Sequence, residues 1–151
     1  MKIDGINKKI LHLLQQDARM TYKEIAQELQ RSETTIRDRI KAMEDAGIIQ
    51  GYTALIDQSV LGLTFHVLIL ANPVSPADVD AVTEKLGKVT NVLRVYQVAG
   101  EHRLAIFMVA PSYQAFKEVL RRRLLPMGLR DEVIIPILEA GREFLSPLEF
   151  P

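Results

Sequence analysis

Thr34, Arg37, Asp38 and Lys41 are the residues whose types and spacing suggest chemistry, and the chemistry is recognition of a nucleic acid. Ser32-Glu33-Thr34-Thr35-Ile36-Arg37-Asp38-Arg39-Ile40 reads as a helix, and placing Ile36 and Ile40 inward at 100° per residue turns those four outward. Arg39 falls near the boundary, and Arg31, Ser32 and Thr35 lie at the helix start, so all eight are candidate DNA contacts. Arginine offers a planar fork to guanine in the major groove, while Thr and Lys commonly bond the phosphate backbone. The same residues would also suit an ordinary helical hairpin with a solvated charged face.

Other chemistries find little support. There is no cysteine, which excludes disulfides, thiolate nucleophiles and Cys-based zinc sites. His12, His66 and His102 are far apart on different elements and lack zinc-ligand spacing, so no metal or cofactor is expected. No nucleophile-base arrangement is legible, and no catalytic residue is assigned. Lys and Arg number 19 and so do Asp and Glu, and residues 1–50 hold nine basic against eight acidic residues. DNA affinity must therefore come from local placement and multiple copies rather than a global basic field.

The elements that would position the charged face are marked by their ends. Thr21 with Glu24 is a capping box, so a helix begins at Tyr22, with Tyr22, Ile25, Ala26 and Leu29 as its buried stripe. Ser32 is an N-cap for the next helix, whose stripe is Ile36, Ile40 and Met43, and Gly47 suits the left-handed residue beyond its end. Small Ala26 allows a close crossing and the short joint forces a sharp angle, which is the helix-turn-helix layout. Ile3, Ile6, Ile10, Leu13 and Leu14 predict a preceding helix that ends near Asp17-Ala18 and closes the core.

After an extended segment at 48–57 and a turn over Asp57 to Gly62 the period changes. Strands are expected over Thr64–Ala71, Val89–Val98, His102–Val109 and Val133–Leu138, with a hairpin at Gly100. Helices follow Ser75-Pro76 (stripe Val79, Val82, Leu86) and Ser112 (Phe116, Val119, Leu120, Leu124), the latter ending on Arg121-Arg122-Arg123. The order βαββαβ is the split, ferredoxin-like unit, with the first and third strands central and Pro136 on an edge. Both central strands are apolar on both faces, Phe65, Val67 and Ile69 alternating with Leu68 and Leu70, and Ile106 with Phe107. One face takes the helices, and the other is expected to meet the sheet of a second copy. The longest apolar run, Leu104–Ala110, is far too short for the roughly 20 residues that span a bilayer, so a soluble cytoplasmic protein is expected, with no membrane partner.

The whole chain resembles the leucine-responsive regulator (Lrp/AsnC) family. The resemblance rests on Asp17-Ala18-Arg19, the run Ser32 to Ile40, Gly47-Ile48-Ile49 and the linker Gly51-Tyr52-Thr53-Ala54-Leu55-Ile56-Asp57. It implies an α+β chain: a winged-type, three-helix DNA-binding domain (1–50), a linker (51–62) and a ferredoxin-like, RAM-type domain (63–151) that dimerises and senses an effector. It further implies a transcriptional regulator that binds double-stranded DNA as a homodimer or a higher oligomer such as an octamer, with an amino acid or organic acid bound between subunits. Two departures stand out. The usual Gly-Leu of the helix-turn-helix joint is Gln30-Arg31, which asks Gln30 to adopt positive φ. The effector hairpin, usually Thr-Gly with an Asp three residues after the glycine, is Ala99-Gly100-Glu101-His102-Arg103. Arg103 would repel an ammonium group and favour a carboxylate or phosphate, unless Glu101 and Arg103 simply pair with each other. The rival reading is an enzyme, since haem-pathway decarboxylases share the layout. Their His-Asn-Tyr type signature is absent from Leu93-Arg94-Val95-Tyr96-Gln97.

Overall fold

The computed structural model describes residues 2–138, which form two compact units, one ending at Leu55 and the other starting at Ile56. In the first unit three helices form: α1 (Gly5–Gln16), α2 (Tyr22–Leu29) and α3 (Glu33–Asp45). Each starts on a side chain that accepts a backbone N–H left open by the first turn. Asp4 takes that of Asn7, Thr21 that of Glu24 and Ser32 that of Thr35. The Thr21–Glu24 box is reciprocal, with the Glu24 carboxylate accepting the Thr21 N–H at 2.7 Å.

Two of the helices end in the same motif. After α3, the Gly47 N–H bonds the Glu44 carbonyl and the Ile48 N–H reaches back to Met43, with Gly47 at φ +68°. After α2, the Gln30 N–H bonds Gln27 and the Arg31 N–H bonds Ala26, with Gln30 at φ 52° and ψ 53°. Both are Schellman ends, and Gln30 occupies a left-handed position that glycine fills more cheaply, by about 1–2 kcal/mol. Behind them Ile10, Ile25, Ala26, Ile36, Ile40 and Met43 form the buried core. Tyr22 departs from its expected place in the buried stripe: it is 38% exposed, because the first residue of α2 projects past the core. Among the described residues of this unit no strand forms.

The second unit is a four-stranded antiparallel sheet in the order β2-β3-β1-β4, built from β1 (Phe65–Pro73), β2 (Val92–Gln97), β3 (Leu104–Ala110) and β4 (Leu129–Ile137). Helices α4 (Val79–Gly87) and α5 (Tyr113–Val119) follow β1 and β3. β1 and β3 are central, and Pro136 lies on the edge strand β4. Several boundaries differ from the sequence expectation. β2 starts three residues later than expected, since Asn91 turns into positive φ (67°). β4 starts four residues earlier, through a bulge where Asp131 adopts φ 53°. Ser75 makes no side-chain cap, and Pro76–Asp78 forms a 3-10 turn before α4. Beyond α5, Arg121, Arg122 and Arg123 lie on a π-helical turn, Leu120–Leu124. The expected extension to residue 151 passes outside the described residues.

The two faces of the sheet are now distinct. Val67, Ile69, Ala71, Leu104, Ile106, Met108 and Ala110 pack with Val82, Leu86, Phe116, Leu120 and Leu124 of the helical layer. The opposite face carries Leu68, Leu70 and Phe107 with Tyr96, Val133 and Ile135 around them, and among the described residues of this unit no helix packs on it. Tyr96, Val133 and Ile135 remain 47%, 43% and 40% exposed.

Candidate functional site

The α3 face is assembled from its buried side outward. Ile36, Ile40 and Met43 are fully buried, which leaves Thr34, Arg37, Asp38 and Lys41 exposed on the opposite side. Arg31, also exposed, bonds the carbonyl of Gln30 through Nη1 at 3.0 Å. Ser32 and Thr35 are occupied with the helix start: Ser32 Oγ accepts the Thr35 N–H at 3.1 Å and lies 2.7 Å from Thr35 Oγ1. Arg39 turns toward α1, donating to Asp4 Oδ2 at 2.7 Å and to Asn7 Oδ1 at 2.8 Å. The N–H of Asn7, first among the causes, and the Arg39 guanidinium together hold the Asp4 carboxyl below its ordinary value.

Arg37 has a more particular setting. Its Nη2 donates to Glu33 Oε1 at 2.8 Å, and its guanidinium carbon lies 5.7 Å from the centre of the Tyr22 ring. Glu33 and Arg37 are about half exposed, so their pair adds little to stability. Sequence reading missed Tyr22 here because an aromatic at helical spacing looks like core; its place in the first turn was the available signal. It also missed Tyr52, whose hydroxyl donates to Glu44 Oε1 at 2.9 Å and whose pKa is pushed up to about 12, first by burial and then by that carboxylate.

The hairpin from Ala99 to Arg103 joins β2 to β3 and closes with the Val98 N–H on the Arg103 carbonyl. Gly100 sits at φ 125°, where a side chain would be strained. Asn72 of β1 clamps this hairpin from both sides, accepting the Arg103 N–H at 3.0 Å and donating to the Glu101 carbonyl at 3.2 Å. His102 ties it to β4, its Nε2 lying 3.1 Å from the Asp131 carbonyl oxygen. Among the described residues no ion pair joins Glu101 to Arg103, and the Arg103 side chain is exposed. Asn72 carried no signal in the sequence, being read only as the end of a strand.

Residues 3–50 match the winged helix-turn-helix DNA-binding model, and residues 64–138 match the Lrp/AsnC ligand binding domain. The HTH-type transcriptional regulator LrpA of Pyrococcus horikoshii is 34% identical over 122 residues, covering 81% of this chain and 86% of the relative. The chain belongs to the Lrp/AsnC family of transcriptional regulators. A second relative of this Lrp/AsnC regulator, Ptr1 of Methanocaldococcus jannaschii, is 31% identical over 125 residues, 83% of this chain and 84% of the relative. In fold, the Lrp/AsnC chain is similar to the feast or famine regulatory protein of M. tuberculosis complexed with L-methionine, with TM-score 0.89, 24% identity and coverage of 99% and 100%. These relatives are regulators rather than enzymes, which sets aside the decarboxylase reading. Among the described residues no helix is long and apolar enough to cross a membrane, and no group of His, Asp and Glu is placed to hold a metal.

Proposed function

We propose that this regulator binds a near-palindromic DNA site as a homodimer, with α3 of each copy in the major groove. The observation that carries the reading is the exposed row of Thr34, Arg37, Asp38 and Lys41 opposite a fully buried Ile36-Ile40-Met43 stripe. Arg31 beside that row suits a phosphate contact. Ser32 and Thr35 would act mainly by shaping the helix start, and Arg39 by fixing α3 to α1. A dimer is supported by the apolar sheet face, on which no helix of the described residues of its own unit packs, and further association of dimers would place more helix pairs on one DNA. Selection of bound duplexes from a random pool, followed by Arg37→Ala, tests the reading. A loss of about 1–3 kcal/mol confined to one base pair per half-site is expected if Arg37 reads a base. A chain that enriches no sequence refutes it.

For the second unit we infer an effector held through an anionic group at the Ala99–Arg103 hairpin. Solved relatives are described in complex with L-methionine, and Arg103, exposed and without an ion pair among the described residues, stands on a hairpin braced by Asn72 and His102. A guanidinium so placed can accept a carboxylate or phosphate in two parallel bonds and disfavours an ammonium group.

A further inference from the structure

We propose that Tyr22 is a positioning residue for Arg37, holding its guanidinium over the ring by a cation–π contact that does not compete for the donor edge with which Arg37 reads one base pair. The inference rests on α3 being the recognition helix and adds a residue from α2 to its specificity. The capping box fixes the first turn of α2, and with it the backbone position from which the Tyr22 ring projects. It stays 38% exposed, and the Arg37 guanidinium carbon lies 5.7 Å from its ring centre.

The geometry separates the two partners of Arg37. The cation–π contact uses the negative face of the ring and no N–H donor of the guanidinium, so it does not itself occupy the edge that a base would take. Glu33 uses the edge, taking Nη2 at 2.8 Å, and therefore competes with a base for the same donors. A bidentate base contact must displace Glu33, whereas it need not displace Tyr22. Because arginine carries considerable rotamer freedom, a ring that already confines it reduces what must be ordered on binding, and that saving is realised only where Arg37 makes its base contact.

The test uses the full chain and two synthetic duplexes: one recovered from a random pool by the wild type, the other differing only at the base pair where Arg37→Ala loses preference. Dissociation constants are read by fluorescence anisotropy. Tyr22→Leu is expected to weaken binding to the first duplex by about 2- to 5-fold, the scale of an exposed cation–π contact, and to leave the second unchanged. Tyr22→Phe, which keeps the ring, should restore wild-type affinity, and Tyr22→Leu should add no loss to Arg37→Ala. Equal weakening on both duplexes would make Tyr22 a backbone contact and overturn the proposal. So would the same loss in the Arg37→Ala background, or a Tyr22→Phe loss as large as that of Tyr22→Leu. Thermal unfolding checks that Tyr22→Leu is folded, and Tyr22→Gln, well tolerated in a helical turn, serves the same comparison. Wild-type preference retained by Arg37→Ala would overturn this inference alone, while a wild-type chain that enriches no sequence would remove the DNA-recognition reading beneath it.

Discussion

Ile106 and Phe107 are neighbours on β3 that point to opposite sides of the sheet, and charging each in turn asks what the uncovered face is for. Ile106 is fully buried, paired across the sheet with Ile69 and Val95 and packed beneath the helical layer. Ile106→Arg forfeits about 1.5–3 kcal/mol of apolar burial and adds about 3–5 kcal/mol for a buried charge without a partner. The sum rivals the roughly 5–15 kcal/mol that holds an ordinary domain together, so this variant should lose its folded signal by circular dichroism. Phe107 is only half-buried and lies opposite Leu68 and Arg94, with the Tyr96 ring edge-on at 6.2 Å. Within one copy, Phe107→Arg costs about 0.5–1.5 kcal/mol for that ring pair, and the chain should stay folded. In a two-fold dimer closed on this face the charge is buried twice, so a penalty of at least ~3 kcal/mol per copy weakens association by about 10⁴-fold. A nanomolar dimer would become one of tens of micromolar, which sedimentation velocity at micromolar protein separates cleanly. A Phe107→Arg chain that sediments as a folded dimer refutes the assignment of this face, and an Ile106→Arg chain that stays folded refutes the packing argument.

Gln30→Gly should relieve about 1–2 kcal/mol of left-handed strain while adding about 0.5–1 kcal/mol of unfolded-chain entropy, for a net gain near zero to about 1.5 kcal/mol read as a small rise in the melting temperature. Asp4 is held below its ordinary value of 3.8 by the Asn7 N–H and Arg39, and Glu24 below 4.5 by the Thr21 N–H and hydroxyl. Depressed carboxyl values mean stability that is present above the ordinary range and lost as the pH falls through the folded-state values. Asp4→Asn with Glu24→Gln should therefore flatten the acid limb of a pH-melting series, and an unchanged limb would show that these caps do not matter. In a thermal-shift screen, an organic acid at roughly 100 times its dissociation constant should add about 2.7 kcal/mol, and Arg103→Ala should abolish the shift. A neutral amino acid whose shift survives Arg103→Ala would contradict the anionic-group reading.

The helix-turn-helix was legible because its ends are local. Thr21, Ser32 and Gly47 act on backbone groups within a few residues, whereas the positive φ at Gln30 is implied only by the resemblance, through the glycine usual at that joint. The sheet was less so. The Arg130-Asp131-Glu132 run falls outside the expected strand, which begins at Val133, and proves to be the bulged start of β4, because an edge strand can expose charge on its rim. Val89 continued the apolar run of β2 but belongs to a turn broken at Asn91, a conformation that hydrophobicity does not encode. With both faces of β1 and β3 apolar, alternation alone could not say which side took the helices. At the sites, side chains were mapped to the correct surface of α3 but their mutual contacts were not: Arg39 on Asp4, Arg37 on Tyr22 and Asn72 on the hairpin all join segments distant in sequence or separated by a turn.

Pro136 has a consequence for how copies of this chain behave when crowded together. It removes one N–H from β4, and the bulge at Asp131 with its flanking Arg130 and Glu132 distorts and charges the same strand. β2, the other rim, is six residues long, is interrupted between Val92 and Arg94, and carries Arg94. Neither rim offers a stranger the long run of unpaired, evenly spaced donors and acceptors from which ordered aggregates grow. A chain that must keep a broad greasy sheet surface open in its single-copy form is thereby protected from the most damaging mode of self-association, lateral strand-on-strand polymerisation into fibrils.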